Sequence, residues 1–485
     1  MVTLSADPVT RIDRLYVGGE WVSKSQDDPV YEVVSPATGE VVAVAADPTI
    51  EDAERAVAAA REAFDNGPWP TLPLAERIAV LSRFCDEFEA RKEEFDKAWT
   101  TESGPTLAHA AALDAGVVMI WRSLLEQARD LRLAERREVP DGIVDVLREP
   151  IGPAVVITAW NGPGLYLAMK LVPALLAGCP VVLKMAQESQ LTAALVGEMA
   201  EAAGLPKGVL SVLAASTEVS AHLVAHPAID KVSLTGSIPA GKAVMSACAG
   251  RLANVTLELG GKSPAVILDD IPLDDVLPSL VPGFIAFNGQ ICAALTRVVV
   301  PRHRHDEVVA ALVERLQAMT VGDPADASSD LGPLASSRQF ERVMGYIETG
   351  VREGADLVLG GGRPDGLDRG WYVAPTVFAN VDPGATIAQE EIFGPVLSVI
   401  PYDSLDEAVD IANGTPYGLA ASVYASDEEL ARRVAGRIRA GAVAVNTAGV
   451  SLFAPFGGFK QSGFGREFGL EGLAEFLQYK SVKVK

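Results

Sequence analysis

The chain has 485 residues and a formal net charge of −23, from 64 acidic and 41 basic side chains. A chain of this length exceeds what one hydrophobic core can organise, so two or three domains are expected. Nucleic acid and anionic membranes are poor partners for it, because their phosphates bind clustered Lys and Arg. Anionic small molecules are not excluded, since backbone amides can hold them.

The N-terminus lacks a basic start followed by an apolar core, so no secretory signal is predicted. The cysteines have neither the spacing of a metal site nor that of a disulfide framework: Cys85, Cys179, Cys248 and Cys292. We therefore expect a cytoplasmic protein without a metal ion. Only five histidines are present, so a hydrolase built on a cysteine and a histidine has few candidates for its base.

The first third of the chain combines short strands, long helices and a hairpin. Strands are predicted at 15–22 and 30–44, and helices at 49–64, 74–101 and 105–129. Thr49 and Asp52 resemble a capping box that opens the first helix. A Pro-Asp-Gly turn within 137–148 predicts a hairpin. Because a hairpin is only marginally stable alone, it is expected to pack against a neighbouring element, such as another subunit.

From residue 153 the pattern changes to apolar strands that alternate with helices. Near-continuous apolar strands are typical of a parallel sheet with helices on both faces, the doubly wound arrangement. The helices are predicted at 165–177, 189–203, 217–225 and 239–249. Ligands bind such sheets beyond the carboxyl ends of the strands, where Asn161, Lys184 and the turn 235–237 lie.

A second α/β pattern follows residue 264. Its strands are separated by helices predicted at 304–319, 336–353, 405–413 and 427–439. The last residues of the chain alternate like an edge strand, which invites pairing with another chain. This strand and the hairpin make a homodimer or homotetramer the expected assembly.

Cys292 lies in an uncharged stretch that runs from Val276 to Thr296. An apolar setting raises the pKa of a thiol, and the thiolate is the reactive form. A buried structural cysteine and an activated nucleophile are therefore both open interpretations. A membrane span is disfavoured although the stretch is long enough, because prolines, glycines and polar residues interrupt it.

Three polar motifs have open interpretations from the residues alone. The turn from Gly236 to Gly241 opens a helix and fits either phosphate binding or a tight strand–helix connection. Glu258 ends an apolar strand, either as an ion-paired carboxylate or as a base with a raised pKa. Asn161 either caps the next helix or donates its amide to an oxyanion.

Taken together, seven stretches resemble the aldehyde dehydrogenase superfamily and follow one another in the order of that family. They are WN at 160–161, KxxQ at 184–187, TGS with a later Gly at 235–241, ELGGKSP at 258–264, GQxC at 289–292, EEIFGP at 390–395 and PFGGFKQSGFGRE at 455–467. The resemblance implies an α/β fold with a Rossmann-like doubly wound cofactor domain, an α/β catalytic domain and a small β oligomerisation element. It assigns to these three parts, in that order, the ranges 1–128 with 148–257, 258–446, and 129–147 with 467–485.

The resemblance also implies oxidation of an aldehyde to a carboxylic acid with NAD(P). Cys292 is the expected nucleophile, and the amide of Asn161 with the backbone amide of Cys292 holds the oxyanion. Hydride leaves for the nicotinamide, and Glu258 activates the water that hydrolyses the thioester. Lys170 and Glu467 match positions that relay the proton.

Two other functions stand as alternatives. In the CoA-acylating branch of the family CoA takes the acyl group, but that branch typically lacks the glutamate base that Glu258 provides here. A catalytically silent binding protein on the same scaffold is disfavoured, because Cys292, Glu258 and Asn161 are all present.

The expected cofactor is NAD, with NADP as an alternative. The residues matching the family's cofactor contacts are Thr158, Ala159, Trp160, Lys184, Gln187, Thr235, Gly236, Ser237, Gly241, Leu259, Gly260, Glu391 and Phe393. Of these, Lys184 would reach the adenosine ribose, Ser237 the pyrophosphate and Glu391 the nicotinamide ribose. Gln187 departs from the family, which usually has glutamate at this position. Since an amide does not repel the 2′-phosphate of NADP, we expect more NADP tolerance than in glutamate-bearing members.

The substrate tunnel departs from the family as well, because Gly162 replaces a common bulky aromatic residue after Asn161. The other residues expected in the tunnel wall are Tyr166, Met169, Phe287, Leu452 and Phe453. A glycine at the wall widens the entrance unless a neighbouring side chain fills the gap. We therefore expect a larger apolar aldehyde, whether aromatic, terpenoid or medium-chain.

Overall fold

Four β-sheets organise residues 9–484, the part of the chain that this computed structural model describes. Residues 1–8 and 485 lie outside the described residues. Residues 1–8 belong to the predicted cofactor domain and to the N-terminus in which no secretory signal is predicted. Residue 485 is the last residue of the predicted C-terminal strand range. The strands are β1 (Thr10–Ile12), β2 (Arg14–Val17), β3 (Glu20–Ser23), β4 (Val30–Val34), β5 (Val41–Ala46), β6 (Ala134–Val139), β7 (Gly142–Pro150), β8 (Ala154–Ile157), β9 (Val181–Met185), β10 (Leu210–Ala214), β11 (Lys231–Thr235), β12 (Asn254–Glu258), β13 (Ser263–Ile267), β14 (Leu295–Pro301), β15 (Asp356–Leu359), β16 (Thr376–Ala379), β17 (Val396–Tyr402), β18 (Ala420–Tyr424), β19 (Ala442–Val445), β20 (Gly463–Phe464) and β21 (Leu477–Val484).

The α-helices are α1 (Ile50–Asp65), α2 (Leu74–Ala90), α3 (Lys92–Ser103), α4 (Leu107–Ala128), α5 (Pro163–Tyr166), α6 (Val172–Ala177), α7 (Gln190–Ala202), α8 (Thr217–Ala225), α9 (Ile238–Ala249), α10 (Leu273–Ile285), α11 (His305–Gln317), α12 (Ser337–Arg352), α13 (Thr386–Gln389), α14 (Leu405–Asn413), α15 (Glu428–Ala435) and α16 (Gly469–Ala474). Two predicted helices are interrupted. The helix expected at 74–101 divides at Arg91 into α2 and α3. The one expected at 165–177 contains a π-helical turn, Leu167–Leu171, between α5 and α6.

The largest sheet has the strand order β20-β12-β11-β8-β9-β10-β2-β3. Its central strands, from β12 to β10, run parallel, and every residue of β8, β9, β10 and β11 is buried, as helices on both faces require. The first of these strands in the chain, β8, lies between β9 and β11. The strand order therefore reverses between β8 and β11, where doubly wound sheets bind ligands. The predicted doubly wound fold is confirmed.

A second sheet, with the order β15-β16-β17-β14-β13-β18-β19, confirms the second α/β pattern. All its neighbouring strands are parallel except β15, which pairs antiparallel at the edge. Residue 258, the predicted first residue of the catalytic range, still belongs to β12 of the first sheet. The chain thus passes from one sheet to the other in 259–262, and the catalytic carboxylate candidate stands at that crossing.

The hairpin forms where the Pro-Asp-Gly turn predicts it, between β6 and β7. Its neighbour within the chain is β21, which pairs antiparallel with β7 over eight residues from Leu477 to Val484. The C-terminal strand that was expected to pair with another chain therefore pairs first with its own hairpin. Within the described residues, β6 and β21 remain the two edges of this three-stranded sheet.

The helix α4 is long and apolar enough to cross a membrane by length and composition. One of its faces nevertheless carries the buried Asp114 and Trp121, and it packs against α2 and α3. A carboxylate and an indole buried against other helices are features of a core helix. The uncharged stretch 276–296 is no span either, because it divides into α10, a short turn and a loop.

Candidate active site

Cys292 lies on the loop that joins α10 to β14, at the end of the second sheet that faces the first. Two consecutive residues before it, Phe287 and Asn288, have left-handed backbone angles, with φ of 47° and 55°. The side chains of Asn288 and Gln290 are buried and bond the backbone of 332–335 at distances of 2.6–3.1 Å. These bonds offset the cost of the strained backbone. The loop is thereby fixed, and the sulfur with it.

Asn161 is held in one orientation beside this loop. Its Nδ2 donates to the carbonyl of Gln290 at 2.8 Å, and its Oδ1 accepts a bond from the Tyr166 hydroxyl at 2.7 Å. It does not cap the next helix, since Gly162 occupies the cap position of α5. Of the two interpretations open from the sequence, the helix cap is excluded, and the oxyanion donor stays a prediction.

The electrostatic surroundings of Cys292 favour the thiol over the thiolate. Burial, together with the charges of Glu391 and Glu258, raises the pKa of the Cys292 thiol to about 12, while the backbone amides of Cys292 and Ala293 donate towards the sulfur and lower it. A positive charge placed close to the sulfur would also lower this pKa. The surroundings of Cys292 as they stand thus disfavour its thiolate form.

Glu258 shares the cleft with Cys292 and is almost fully buried. Neither of its carboxylate oxygens has a hydrogen-bond partner among the described residues, which excludes the ion-paired strand end. Burial and the nearby charge of Glu467 raise the pKa of Glu258 well above its usual value. A buried carboxyl group without a hydrogen-bond partner and with a raised pKa has the properties of a general base.

Lys170 and Glu467 form an ion pair of 2.7 Å that is almost completely buried. Both bond Ser233 on β11: Lys170 donates to its Oγ at 3.0 Å, and the hydroxyl donates to Glu467 at 3.2 Å. The negative charge of Glu467 raises the pKa of Glu258, so the two carboxyl groups interact electrostatically. The predicted proton-relay residues are thus brought together beside the predicted base.

Sequence reasoning missed the polar side chains of β11 and β12 around this pair. Lys231 donates to Thr256 at 2.6 Å, and Thr256 donates to Glu475 at 2.8 Å. A signal was present in the alternation of the two apolar strands, since Lys231, Ser233 and Thr235 point the same way, as do Thr256 and Glu258. These residues continue the buried polar row towards Glu475, which is partly exposed.

A cleft of about 840 Å³ opens between the two sheets and reaches Cys292. The expected cofactor residues in its wall are Ala159, Trp160, Thr235, Gly236, Ser237, Leu259, Gly260, Glu391 and Phe393. Thr158, Lys184, Gln187 and Gly241 lie outside that wall. Wall residues that the sequence did not indicate are Ile238, Pro239, Arg338, Gln339, Arg342, Tyr346, Glu390, Pro416, Tyr417 and Gln461.

The turn before α9 combines packing with an open helix end. Ser237 caps α9 by accepting a bond from the amide of Ala240 at 3.4 Å. A Cβ on Gly241 would come within 2.6 Å of the Leu259 side chain, so this glycine is explained by packing. Gly236, by contrast, has no atom closer than 3.4 Å to such a Cβ and borders the cleft. The N-terminus of α9 is therefore available to an anionic group.

Glu391 lies against the glycine loop that follows Glu258. Its Oε1 accepts a bond from the amide of Gly261 at 2.9 Å, and a Cβ on Gly260 would collide with its carboxylate. Burial raises the pKa of Glu391 to about 7. The Phe393 ring stands edge-on to Trp160, with 5.6 Å between ring centres. A carboxylate acceptor and an aromatic wall near the sulfur suit a ribose with an attached flat ring.

The expected tunnel residues do not all gather at the cleft. Tyr166 lines it, and Phe287 packs edge-on against Trp160, with 5.8 Å between ring centres. Leu452 and Phe453 line a separate small cavity beside α4. Met169 is buried in the core between the helices.

The space beside Gly162 is partly taken by other side chains. A Cβ there would find Leu165, Tyr166 and Leu113 at 3.6–4.0 Å, which is ordinary contact. The space that the family's bulky aromatic residue would occupy at position 162 is thus bordered by Leu113 of α4.

No histidine lines the cleft among residues 9–484, and His109 packs on Phe287 with 6.0 Å between ring centres. Burial lowers the pKa of His109 to about 4, so it is neutral.

The donor set fits a dinucleotide with a positively charged ring. The open helix end of α9 suits the phosphates, and Glu391 offers a carboxylate for ribose hydroxyls. Thr235, also in the cleft wall, has a buried hydroxyl without a hydrogen-bond partner among the described residues. A positive charge near the Cys292 sulfur would counteract the causes that raise the pKa of its thiol.

Comparison with known proteins agrees with this arrangement. The model of the aldehyde dehydrogenase family matches residues 21–482. A geranial dehydrogenase from Castellaniella defragrans is 41% identical over 470 residues, which cover 96% of this chain and 98% of that protein. A Mycobacterium tuberculosis aldehyde dehydrogenase complexed with NAD+ superposes with a TM-score of 0.95 at 43% identity, covering 98% of this chain and 99% of the other.

An aldehyde dehydrogenase C variant from Pseudomonas syringae, complexed with NAD+ and octanal, superposes with a TM-score of 0.92 at 42% identity and covers 100% of this chain and 98% of the other. A betaine aldehyde dehydrogenase from Staphylococcus aureus in complex with NAD+ gives a TM-score of 0.94 at 34% identity, covering 97% and 94%. The chain therefore belongs to the aldehyde dehydrogenase family and is an NAD(P)-dependent oxidoreductase that acts on aldehydes.

Proposed function

We propose that the enzyme oxidises its aldehyde to the free carboxylic acid through a thioester on Cys292, which water activated by Glu258 hydrolyses. The observation that carries this proposal is the shared cleft of the two side chains, in which both oxygens of Glu258 lack a protein partner. A carboxyl group left free in this way can bond a water molecule that faces the sulfur.

The first step joins the Cys292 sulfur to the carbonyl carbon of the aldehyde, and the π electrons move onto the carbonyl oxygen. Asn161 Nδ2 and the backbone amide of Cys292 would stabilise that oxyanion, and the amide of Asn161 is already held in one orientation. NAD+ bound in this cleft would supply a positive charge that favours the thiolate of Cys292 and would be the acceptor of the hydride whose loss leaves a thioester on Cys292.

The second step releases the acid. Water adds to the thioester carbon, Glu258 takes a proton from it, and the carbon–sulfur bond breaks to return the thiolate. The pair of Lys170 and Glu467 would receive the proton from Glu258 and pass it along the polar row towards Glu475.

The residues proposed to hold NAD come from both sheets. Ser237 and the N-terminus of α9 would bind the pyrophosphate, Lys184 the adenosine ribose and Glu391 the nicotinamide ribose. The division of roles between sheets follows: the doubly wound sheet binds the cofactor, and the second sheet carries the nucleophile. We propose the ranges 1–128 with 148–257 and 258–446 for these domains.

A larger apolar aldehyde is the proposed substrate. Tyr166 lines the cleft, and the absence of a side chain at Gly162 leaves part of the neighbouring space to Leu165 and Leu113. The relative named geranial dehydrogenase and the Pseudomonas syringae structure that contains octanal support this size and polarity for those proteins. NAD reduction should accordingly be faster with octanal and geranial than with acetaldehyde.

The assembly is proposed to be a homodimer or homotetramer built on the sheet of β6, β7 and β21, whose outer edges can accept further strands. We propose the cytoplasm as its location, because all four cysteines are free thiols and the nucleophile must stay reduced. Light scattering on the purified protein measures the assembly directly.

The function is tested with purified enzyme, NAD and a panel from acetaldehyde to octanal and geranial, with and without CoA. Acid production without CoA supports hydrolysis. Turnover that requires CoA would instead assign the enzyme to the acylating branch and remove the role given to Glu258.

A further inference from the structure

The carboxyl end of β9 corresponds to the place where doubly wound sheets bind the adenosine ribose of a dinucleotide. In such sheets an acidic residue after the second strand bonds the 2′-hydroxyl and thereby selects NAD. The second parallel strand here is β9, and Gln187 follows it, so the position itself carries no charge. Gln187 alone would leave NAD and NADP poorly distinguished.

Gln187 is bound to a carboxylate from a distant part of the chain. Its Nε2 lies 3.1 Å from Oδ1 and 3.0 Å from Oδ2 of Asp47, which sits between β5 and α1. Asp47 is itself held by a bond of 2.9 Å from its backbone amide to the carbonyl of Pro29. Because the side-chain Nε2 of Gln187 donates to Asp47, the side-chain oxygen Oε1 of Gln187 is left to accept a bond from a ribose hydroxyl.

We propose that Asp47 is a specificity-determining residue that, through Gln187, gives the ribose position the negative charge missing at residue 187 and so favours NAD over NADP. The inference rests on the proposed use of NAD at this sheet. A neutral 2′-hydroxyl meets the acceptor oxygen of Gln187, whereas a 2′-phosphate meets the carboxylate behind it. The NADP tolerance expected from Gln187 alone is thereby reversed.

Two other charged groups lie in the same region. Lys184 is buried, and burial lowers the pKa of Lys184 to about 8, although Glu188 and Asp47 both oppose this. Glu188 faces a different cavity, which it lines with Tyr31 and Trp371. Glu188 therefore offers a matched control, since it carries the same charge near Lys184 without the bond to Gln187.

The test is the binding of NAD and NADP to the full-length protein without aldehyde, measured by titration calorimetry. In Asp47→Asn the bond to Gln187 is kept and the charge is lost, so NADP affinity should rise by about tenfold or more while NAD affinity changes by less than about threefold. Glu188→Gln should change the ratio of the two affinities by less than about threefold. Asp47→Glu, which restores the charge, should keep the preference for NAD.

Each outcome separates the inference from the function on which it rests. If NAD binds and Asp47→Asn leaves the ratio unchanged, or if Glu188→Gln shifts it equally, the role of Asp47 is wrong while the proposed function stands. If the unmodified protein binds neither dinucleotide, both fail. A wild-type protein that binds NADP as tightly as NAD also overturns the role of Asp47.

Discussion

The hydroxyl of Tyr166 donates a 2.7 Å hydrogen bond to Oδ1 of Asn161, and this bond decides which end of the amide faces the nucleophile loop. With Oδ1 engaged, Nδ2 is the atom that points to the carbonyl of Gln290, two residues before Cys292. The donor that would stabilise the oxyanion is thus oriented before any substrate binds. Preorganised donors of this kind contribute more to catalysis than mobile ones.

Tyr166→Phe should weaken catalysis without abolishing it. The amide of Asn161 then loses the bond that fixes its rotation, and we expect kcat to fall by roughly tenfold, against 10²–10³-fold for Asn161→Ala, which removes the donor. Steady-state kinetics with NAD and octanal measures both. Equal losses in the two variants would show that Tyr166 does more than orient the amide.

Glu258→Gln should separate the two half-reactions. Formation of NADH on the first turnover does not need the base, whereas hydrolysis does, so a rapid burst close to one NADH per active site should precede a steady rate lowered by about 10²–10⁴-fold. Stopped-flow absorbance records the burst. The exposed Glu126→Gln serves as the control and should behave like the unmodified enzyme. A lost burst would place Glu258 in the first half-reaction.

Lys170→Met should be costly for stability, because it leaves Glu467 buried without its cation. Breaking a buried pair from one side costs about 3–5 kcal/mol, while removing both charges costs less. Urea unfolding should therefore show a large loss for Lys170→Met and a partial recovery in the double variant with Glu467→Gln. Thioester hydrolysis should stay slow in both. Recovered hydrolysis in the double variant would argue against a proton relay through this pair.

Affinity for NAD should depend on pH through Glu391. Burial raises the pKa of Glu391 to about 7, and only the ionised carboxylate accepts bonds well from ribose hydroxyls. The dissociation constant of NAD should therefore fall as pH rises through about 7, by roughly threefold to tenfold. Calorimetry across this range measures it, and Glu391→Gln should flatten the curve. A profile that is unchanged in this variant would assign the dependence to another group.

Motif order singles out Cys292, Glu258 and Asn161, which line one cleft, and the alternation of apolar strands with helices predicted both parallel sheets. The bond between Gln187 and Asp47 could not be predicted, since the two residues are 140 positions apart and meet only in the folded chain. The pairing of β21 with β7 was missed for a similar reason. An edge strand has the same sequence pattern whether its partner strand lies in its own chain or in another chain.

The position of Leu452 and Phe453 also lay beyond the sequence. Their neighbourhood is set by how the loop after β19 packs against α4, and local pattern carries no information about that contact. The polar row at Lys231 and Thr256 was visible only as alternation within strands that are otherwise apolar. The register of β11 and β12 places these side chains next to one another, and the bond from Ser233 to Glu467 connects them with the buried ion pair.

The covalent intermediate tests the central claim most directly. Glu258→Gln enzyme mixed with NAD and octanal, quenched in acid and digested, should yield the Cys292 peptide with the mass of an added octanoyl group, and only when NAD is present. Cys85, Cys179 and Cys248, which are buried away from the cleft, should stay unmodified. An acyl group on another residue, or NADH formation without any acylated Cys292, would contradict the thioester mechanism.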